Sequence, residues 1–196
     1  MNTATNSKSM KSSNILATTV MAAVMMLVMA VPAEAKTPKV SEILDNNGFT
    51  TLLFALDTAG LTSVLDENRV VLFAPTDDVF EATAELLGCS SVLELATNLL
   101  NTTVGDSNAL AIVLTYHAYL GRLKDGYEVL SAGELPMANG DTVTTGVDRN
   151  GQSVKGIVNE TASTITTAAF KARKGSSVYG IDQILLPIDP SGICAS

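Results

Sequence analysis

The 196-residue chain has no tryptophan, only 5% aromatic residues, a single histidine and two cysteines. Each shortage excludes something. No Cys/His cluster and no Asp-x-Asp-x-Asp-Gly loop occurs, so the ordinary frames for a dedicated metal site are missing. No Gly-x-Ser-x-Gly elbow offers a serine nucleophile to His117. No glycine-rich phosphate loop follows a parallel strand, and there is no Arg-Gly-Asp sequence. Basic residues are few: 12 Lys and Arg stand against 20 Asp and Glu, a net charge of −8. Without a basic stripe, the chain is a poor fit to nucleic acid and to anionic lipid headgroups. Lys171, Arg173 and Lys174 form the one local basic cluster. It reads as a solvated strand end, with an acidic-polysaccharide contact as the sharper alternative.

The N-terminus has a different composition. Lys8 and Lys11 precede an almost wholly apolar run from Ile15 to Val31, Pro32 breaks it, and Ala33-Glu34-Ala35 follows. A short basic region, an apolar stretch and a small-x-small site make a secretory signal peptide over residues 1–35. The alternative is an uncleaved anchor, but the run sits at the short edge of a spanning helix. No later segment is long and apolar enough to cross a bilayer. The expected mature chain has a short tail at 36–39, one domain at 40–188 and a tail at 189–196. About 160 residues suffice for a real core. Its charge becomes about −9 once the leader is gone. Export supplies an oxidant, so Cys89 and Cys194 most simply form one disulfide; the alternative is two unpaired thiols.

The first half of this domain reads as helical. Val40 to Asp45 makes a short helix. Phe49, Leu52, Leu53 and Leu56 recur at i, i+3, i+4 and i+7, one apolar face that Gly60 ends. Thr62 opens a further turn with Val64 and Leu65. Val70 to Phe73 is a strand that stops at Pro75, where the chain turns into a helix. Asp78 and Glu81 have the spacing of a capping box, as do Ser91 and Glu94, and Asp106 is placed to cap the next helix. Leu110, Val113, Leu114 and His117 share that helix's buried face. The second half reads as strands. Asn139-Gly140 and Asn150-Gly151 mark tight hairpins. Val143, Thr145 and Val147 alternate with polar residues, Val154 to Val158 pairs back, and Val178 to Leu186 is a closing strand ended by Pro187. Helices followed by an antiparallel sheet define an α+β domain.

Three separated elements carry a resemblance. They are the corner Phe73-Ala74-Pro75-Thr76-Asp77, the pair Tyr116-His117, and the closing run from Val178 through Asp182 to Pro187. In order and spacing they resemble the fasciclin domain over about Val40 to Pro187. Tyr179 stands where many members have histidine, and Gly180 where a β-branched residue is usual. The resemblance implies a wedge of mostly antiparallel β-strands with helices packed on one side. It also implies a secreted, periplasmic or cell-surface location and a role in adhesion or matrix contact. Some similar algal members carry carotenoids in an apolar groove. No general enzymatic activity belongs to the family.

Two functions follow as expectations. The first is a non-catalytic module contacting a cell-surface or matrix protein or polysaccharide. In it Phe73, Pro75, Thr76, Asp77, His117 and Asp182 mainly hold the corner to the final strand. His117 is expected to be a buried imidazole donating to a carbonyl, or to Asp77 or Thr76. Tyr116 is expected at the core edge, with partner binding as the alternative for the pair. The second is a carrier of an apolar ligand, lipid or carotenoid, in a groove between the helices before and after the corner. Cys89 with His117 lacks an orienting third group and makes a poor catalytic thiol. Asn101 and Asn159 begin glycosylation sequons that matter only in a glycosylating host.

Overall fold

The computed structural model describes residues 36–121, 126–148 and 151–194. The signal-peptide segment, Asn150 of the second hairpin and the last two residues lie outside them. The chain opens with three short helices, α1 (Val40–Asn46), α2 (Thr50–Thr58) and α3 (Thr62–Glu67). Phe49, Leu52 and Leu56 are buried, as their spacing predicts. Gly60 ends α2 in the left-handed conformation (φ 71°), which glycine adopts without a Cβ penalty.

Strand β1 (Val70–Pro75) is buried at every position. A strand covered on both faces needs an unbroken apolar run, and Val-Val-Leu-Phe-Ala-Pro supplies one. It pairs with β4 (Ala118–Leu120) antiparallel and with the closing strand β10 (Ser177–Ile181) parallel, with Phe73 opposite Tyr179 and Pro75 opposite Ile181. Strand β9 (Phe170–Lys171) adds to the other edge of β10. This central sheet therefore contains one parallel pair among antiparallel ones. The long crossover from β1 to β10 carries the rest of the domain.

After β1 come α4 (Asp77–Leu86), α5 (Val92–Asn101), a small ribbon of β2 (Thr103–Val104) and β3 (Ser107–Asn108), and α6 (Ala109–Tyr116). Helix α7 (Gly126–Ser131) leads into the second sheet. That sheet is antiparallel throughout, in the order β5 (Glu134–Pro136), β6 (Thr142–Asp148), β7 (Gly151–Lys155), β8 (Ser163–Thr164). The alternation expected along β6 holds for Val143 and Thr145, which are buried. It fails at Val147, which is 54% exposed near the hairpin end. The expected return strand also shifts, from Val154–Val158 to Gly151–Lys155. The closing strand ends at Ile181 rather than Leu186, so residues beyond it are free to make other contacts.

The two faces of β1 divide the core. Val70, Leu72 and Ala74 pack with α1, α2, α3 and α6. Val71 and Phe73 pack with Tyr116, Tyr179, Ile181 and the second sheet through Leu135, Val143 and Val154. The result is α+β, with helices on one face of the central sheet and the second sheet on the other. A third small cluster joins Ala84, Leu95, Cys89 and Cys194.

Candidate functional site

The proline corner works by capping, though not its own helix. Thr76 is the N-cap residue of α4 and makes no side-chain cap bond, so the expected Asp78–Glu81 box is absent. Asp77 instead reaches back 26 residues to the start of α2. Its carboxylate accepts from Thr51 N–H at 2.7 Å, Thr50 N–H at 3.3 Å and the Thr50 hydroxyl at 2.8 Å. The α2 N-terminus lacks a cap of its own at Phe49, and Asp77 satisfies its free donors. Burial acts to raise the Asp77 pKa, but the bonds from Thr51 and Thr50 win and leave it below the ordinary value. The Asp77 N–H donates to Gly48 O at 3.1 Å, fixing the same junction through the backbone.

Caps elsewhere differ from expectation by one partner. Ser91 does accept from Glu94 N–H, but the Glu94 carboxylate bonds Ser90 rather than Ser91. Helix α6 is capped by Asn108, which accepts from Ala111 N–H at 2.8 Å, and not by Asp106. Both Asp and Asn cap well, so spacing alone did not separate them.

His117 ends α6 and is 2% exposed. Nδ1 lies 2.7 Å from Val113 O, and Leu185 N–H donates to Nε2 at 3.0 Å. A ring nitrogen that accepts cannot carry the proton, so Nδ1 is protonated and donates to Val113. The ring makes no bond to Asp77 or Thr76, because Asp77 is committed to α2. Burial pushes the imidazole pKa from 6.5 to about 4, and the Val113 bond offsets that only in part. His117 also bonds through its backbone, accepting from Phe73 N–H at 2.9 Å. One residue thus ties α6 to β1 on one side and to the chain beyond β10 on the other.

Tyr116 is fully buried rather than at the core edge. Its hydroxyl donates to Thr142 O at 2.7 Å and accepts from Ile157 N–H at 2.9 Å, bridging β6 and the loop after β7. Tyr179 sits against Phe73, with ring centroids 6.1 Å apart. Asp182 closes the end of β10, accepting from Thr164 N–H at 2.7 Å and Ser163 Oγ at 3.0 Å. Gly180 is required by close approach. A Cβ there would lie 2.8 Å from Thr167 Cγ2, and the Gly180 N–H donates to Thr167 Oγ1 at 2.8 Å. The motif residues therefore surround the β1–β10 junction, but Asp77 and Asp182 serve separate contacts and do not converge on His117.

Cys89 and Cys194 are joined in a disulfide, with Cα atoms 5.1 Å apart. Asn101 is exposed at the end of α5. Asn159 is not open in the same way. Its Nδ2 donates to Ile184 O and its Oδ1 accepts from Leu186 N–H, both at 2.8 Å, so a glycan on that nitrogen would break a bracket of the fold. Of the basic cluster, Lys171 bonds Ser177 Oγ and Lys174 bonds Glu67 O.

An apolar groove of about 280 Å³ lies among the helices before and after the corner. Helices α2, α4, α5 and α6 form it with the segment after β10, and Phe54, Phe80, Leu87, Leu99, Leu114 and Ile188 are among its lining. Two of its three threonine hydroxyls are engaged elsewhere: Thr83 Oγ1 donates to Val79 O, and Thr50 Oγ1 to Asp77. The His117 ring has both nitrogens bonded. The lining thus offers apolar contact and little hydrogen bonding. The signal in sequence was the apolar excess on α2 and α5, where Phe54 is 55% and Leu93 63% exposed.

Among the described residues, no group of three or more His, Cys, Asp or Glu could hold a metal ion, and no helix is long and apolar enough to cross a membrane. The fasciclin domain model matches residues 47–187. The chain belongs to the fasciclin family. Among solved structures it is similar to the FAS1 domain pair from the insect cell adhesion molecule Fasciclin I, with a TM-score of 0.60 at 13% identity. That match covers 77% of this chain and 51% of the other, so this fasciclin protein spans about half the length of that pair. At such identity the likeness speaks for the fold alone. No curated protein matches the chain. Fasciclin domains occur in adhesion-type proteins, are typically extracellular and are generally non-enzymatic.

Proposed function

We propose that this fasciclin domain is an exported, non-catalytic recognition module that contacts a cell-surface or matrix partner. One observation carries the reading: the polar motif groups are spent inside the fold. Asp77 caps α2, His117 holds Val113 and Leu185, and Asp182 holds β8. None is left to act on a substrate, so recognition falls to exposed surfaces. The similar structure comes from a cell adhesion molecule, which is in keeping with that role. Beads coated with the purified protein should bind native surface or matrix material. His117→Ala protein that remains folded should bind it equally well. A reaction lost with His117 in a folded variant would sink the assignment.

The groove favours a second reading, carriage of an apolar small ligand such as a lipid or carotenoid. Its volume lies near the lower end of the ~300–1,000 Å³ usual for small-molecule sites. A visible absorption band on protein from the native host, removed by organic solvent, would mark a pigment carrier.

A further inference from the structure

The groove is closed on one side by a segment without regular secondary structure, here called the strap. Ile184, Leu186, Ile188, Pro190 and Ile193 of this segment all line the groove. The strap is tied at its two ends. At its start, Asn159 brackets it through Ile184 O and Leu186 N–H, and Val158 N–H donates to Leu186 O at 3.1 Å. At its far end, Cys194 is bonded to Cys89, just after α4, and Asn98 Nδ2 reaches Cys194 Sγ at 3.5 Å. In between, Ser191 N–H donates to Asp189 Oδ1 and Ile193 N–H to Pro190 O, bonds that stay within the strap. His117 Nε2 adds a further tie at the start, accepting from Leu185 N–H, so opening the disulfide frees the far end of this wall.

Charge narrows the occupant. No Lys or Arg lies between Lys39 and Arg69, between Arg69 and Arg122, or after Lys174. Every element lining the groove falls in those stretches. Those same stretches do carry acids, among them Asp57, Asp78, Glu85, Glu94 and Asp189, and no Asp, Glu, Lys or Arg is among the lining residues. An anionic head would meet an acidic surface and no counter-charge in the lining.

We infer that the groove takes an apolar chain whose head group carries no negative charge, and that the disulfide-tied strap is the wall that retains it. This rests on the carrier reading and adds the ligand class and the device that holds it. The test uses the purified oxidised protein with decylamine, decanol and decanoate, each competing against an environment-sensitive dye and followed by calorimetry. Decylamine and decanol bind. Decanoate binds about 10-fold more weakly at low salt, and the gap closes as salt screens the acidic surface. Ile188→Ser, with the disulfide intact, and the pair Cys89→Ser with Cys194→Ser each release decylamine at least about 10-fold faster; 1.4 kcal/mol corresponds to a factor of ten. If the cysteine pair fails to fold, Ile188→Ser decides. Binding of none of the three probes overturns this inference and the carrier reading together. Decanoate binding as tightly as decylamine at low salt overturns the charge rule. Unchanged release from a folded strap variant overturns the role of the strap and leaves the carrier reading standing.

Discussion

At the scale of residues, the same side chain can be read for chemistry or for structure, and partners decide. His117 has the composition of a catalytic or sensing group. Its ring is enclosed, holds a single tautomer and bonds two backbone groups. Replacing it by alanine strands the Leu185 N–H and opens a cavity, at a cost of about 2–4 kcal/mol. Denaturant titration at pH 7 measures that loss. The sign of its pH effect follows from the folded pKa of about 4. Between pH 6.5 and 4 the unfolded chain binds the proton and the folded chain does not. Stability therefore falls as pH falls across that window, by on the order of 3 kcal/mol in all. Titrations at pH 7 and pH 5 should show the drop in the native protein and a smaller one in His117→Phe. Asp77 acts in the same direction at lower pH. Its carboxylate pKa is depressed, so its contribution is present above the unfolded value and is lost as pH falls through the folded one. Asp77→Ala removes the cap of α2 and should cost about 1–2 kcal/mol by chemical denaturation.

Elements show where close approach selects a residue. The closing strand carries glycine at 180 because Thr166 and Thr167 cross beside it. Thr166 N–H donates to Gly180 O at 2.8 Å and Thr167 Oγ1 accepts from Gly180 N–H. Gly180→Val should force these threonines away and destabilise by about 1–3 kcal/mol. A fall in the thermal midpoint, with far-UV circular dichroism unchanged at 20 °C, is the expected reading. An unchanged midpoint would show that the Thr166–Thr167 segment yields without strain. Helix α2 illustrates the reverse dependence. Its apolar face is set locally, but its N-terminus is completed by a carboxylate 26 residues away.

For the whole molecule, the disulfide is the one covalent cross-link among the described residues, with a sequence separation of 105. In the chain-entropy model it stabilises by up to ~4–5 kcal/mol. Reduction by a dithiol should lower the thermal midpoint sharply. A midpoint that does not respond would mean the unfolded chain gains little freedom when the bond opens. Around that bond the small cluster of Ala84 and Leu95 meets the groove, so stability and groove shape share one support.

The elements themselves were legible in the chain because their signals are local. Apolar spacing placed α2 and α6, the Val70–Phe73 run marked β1, and Asn139-Gly140 marked the turn that precedes β6. The corner, the Tyr116-His117 pair and the closing run were enough to indicate the fasciclin fold. Partners were not legible. Asp77 had an obvious local helix to cap and caps a distant one, Asn108 took the role expected of Asp106, and the His117 ring donates to the Val113 carbonyl and accepts from Leu185 N–H rather than meeting Asp77 or Thr76. Each choice is a competition between groups of similar chemistry, settled by which one packing brings within 3 Å. The groove belongs to the same class: local periodicity makes its helices apolar, but only their mutual angles and the tied strap leave a space between them.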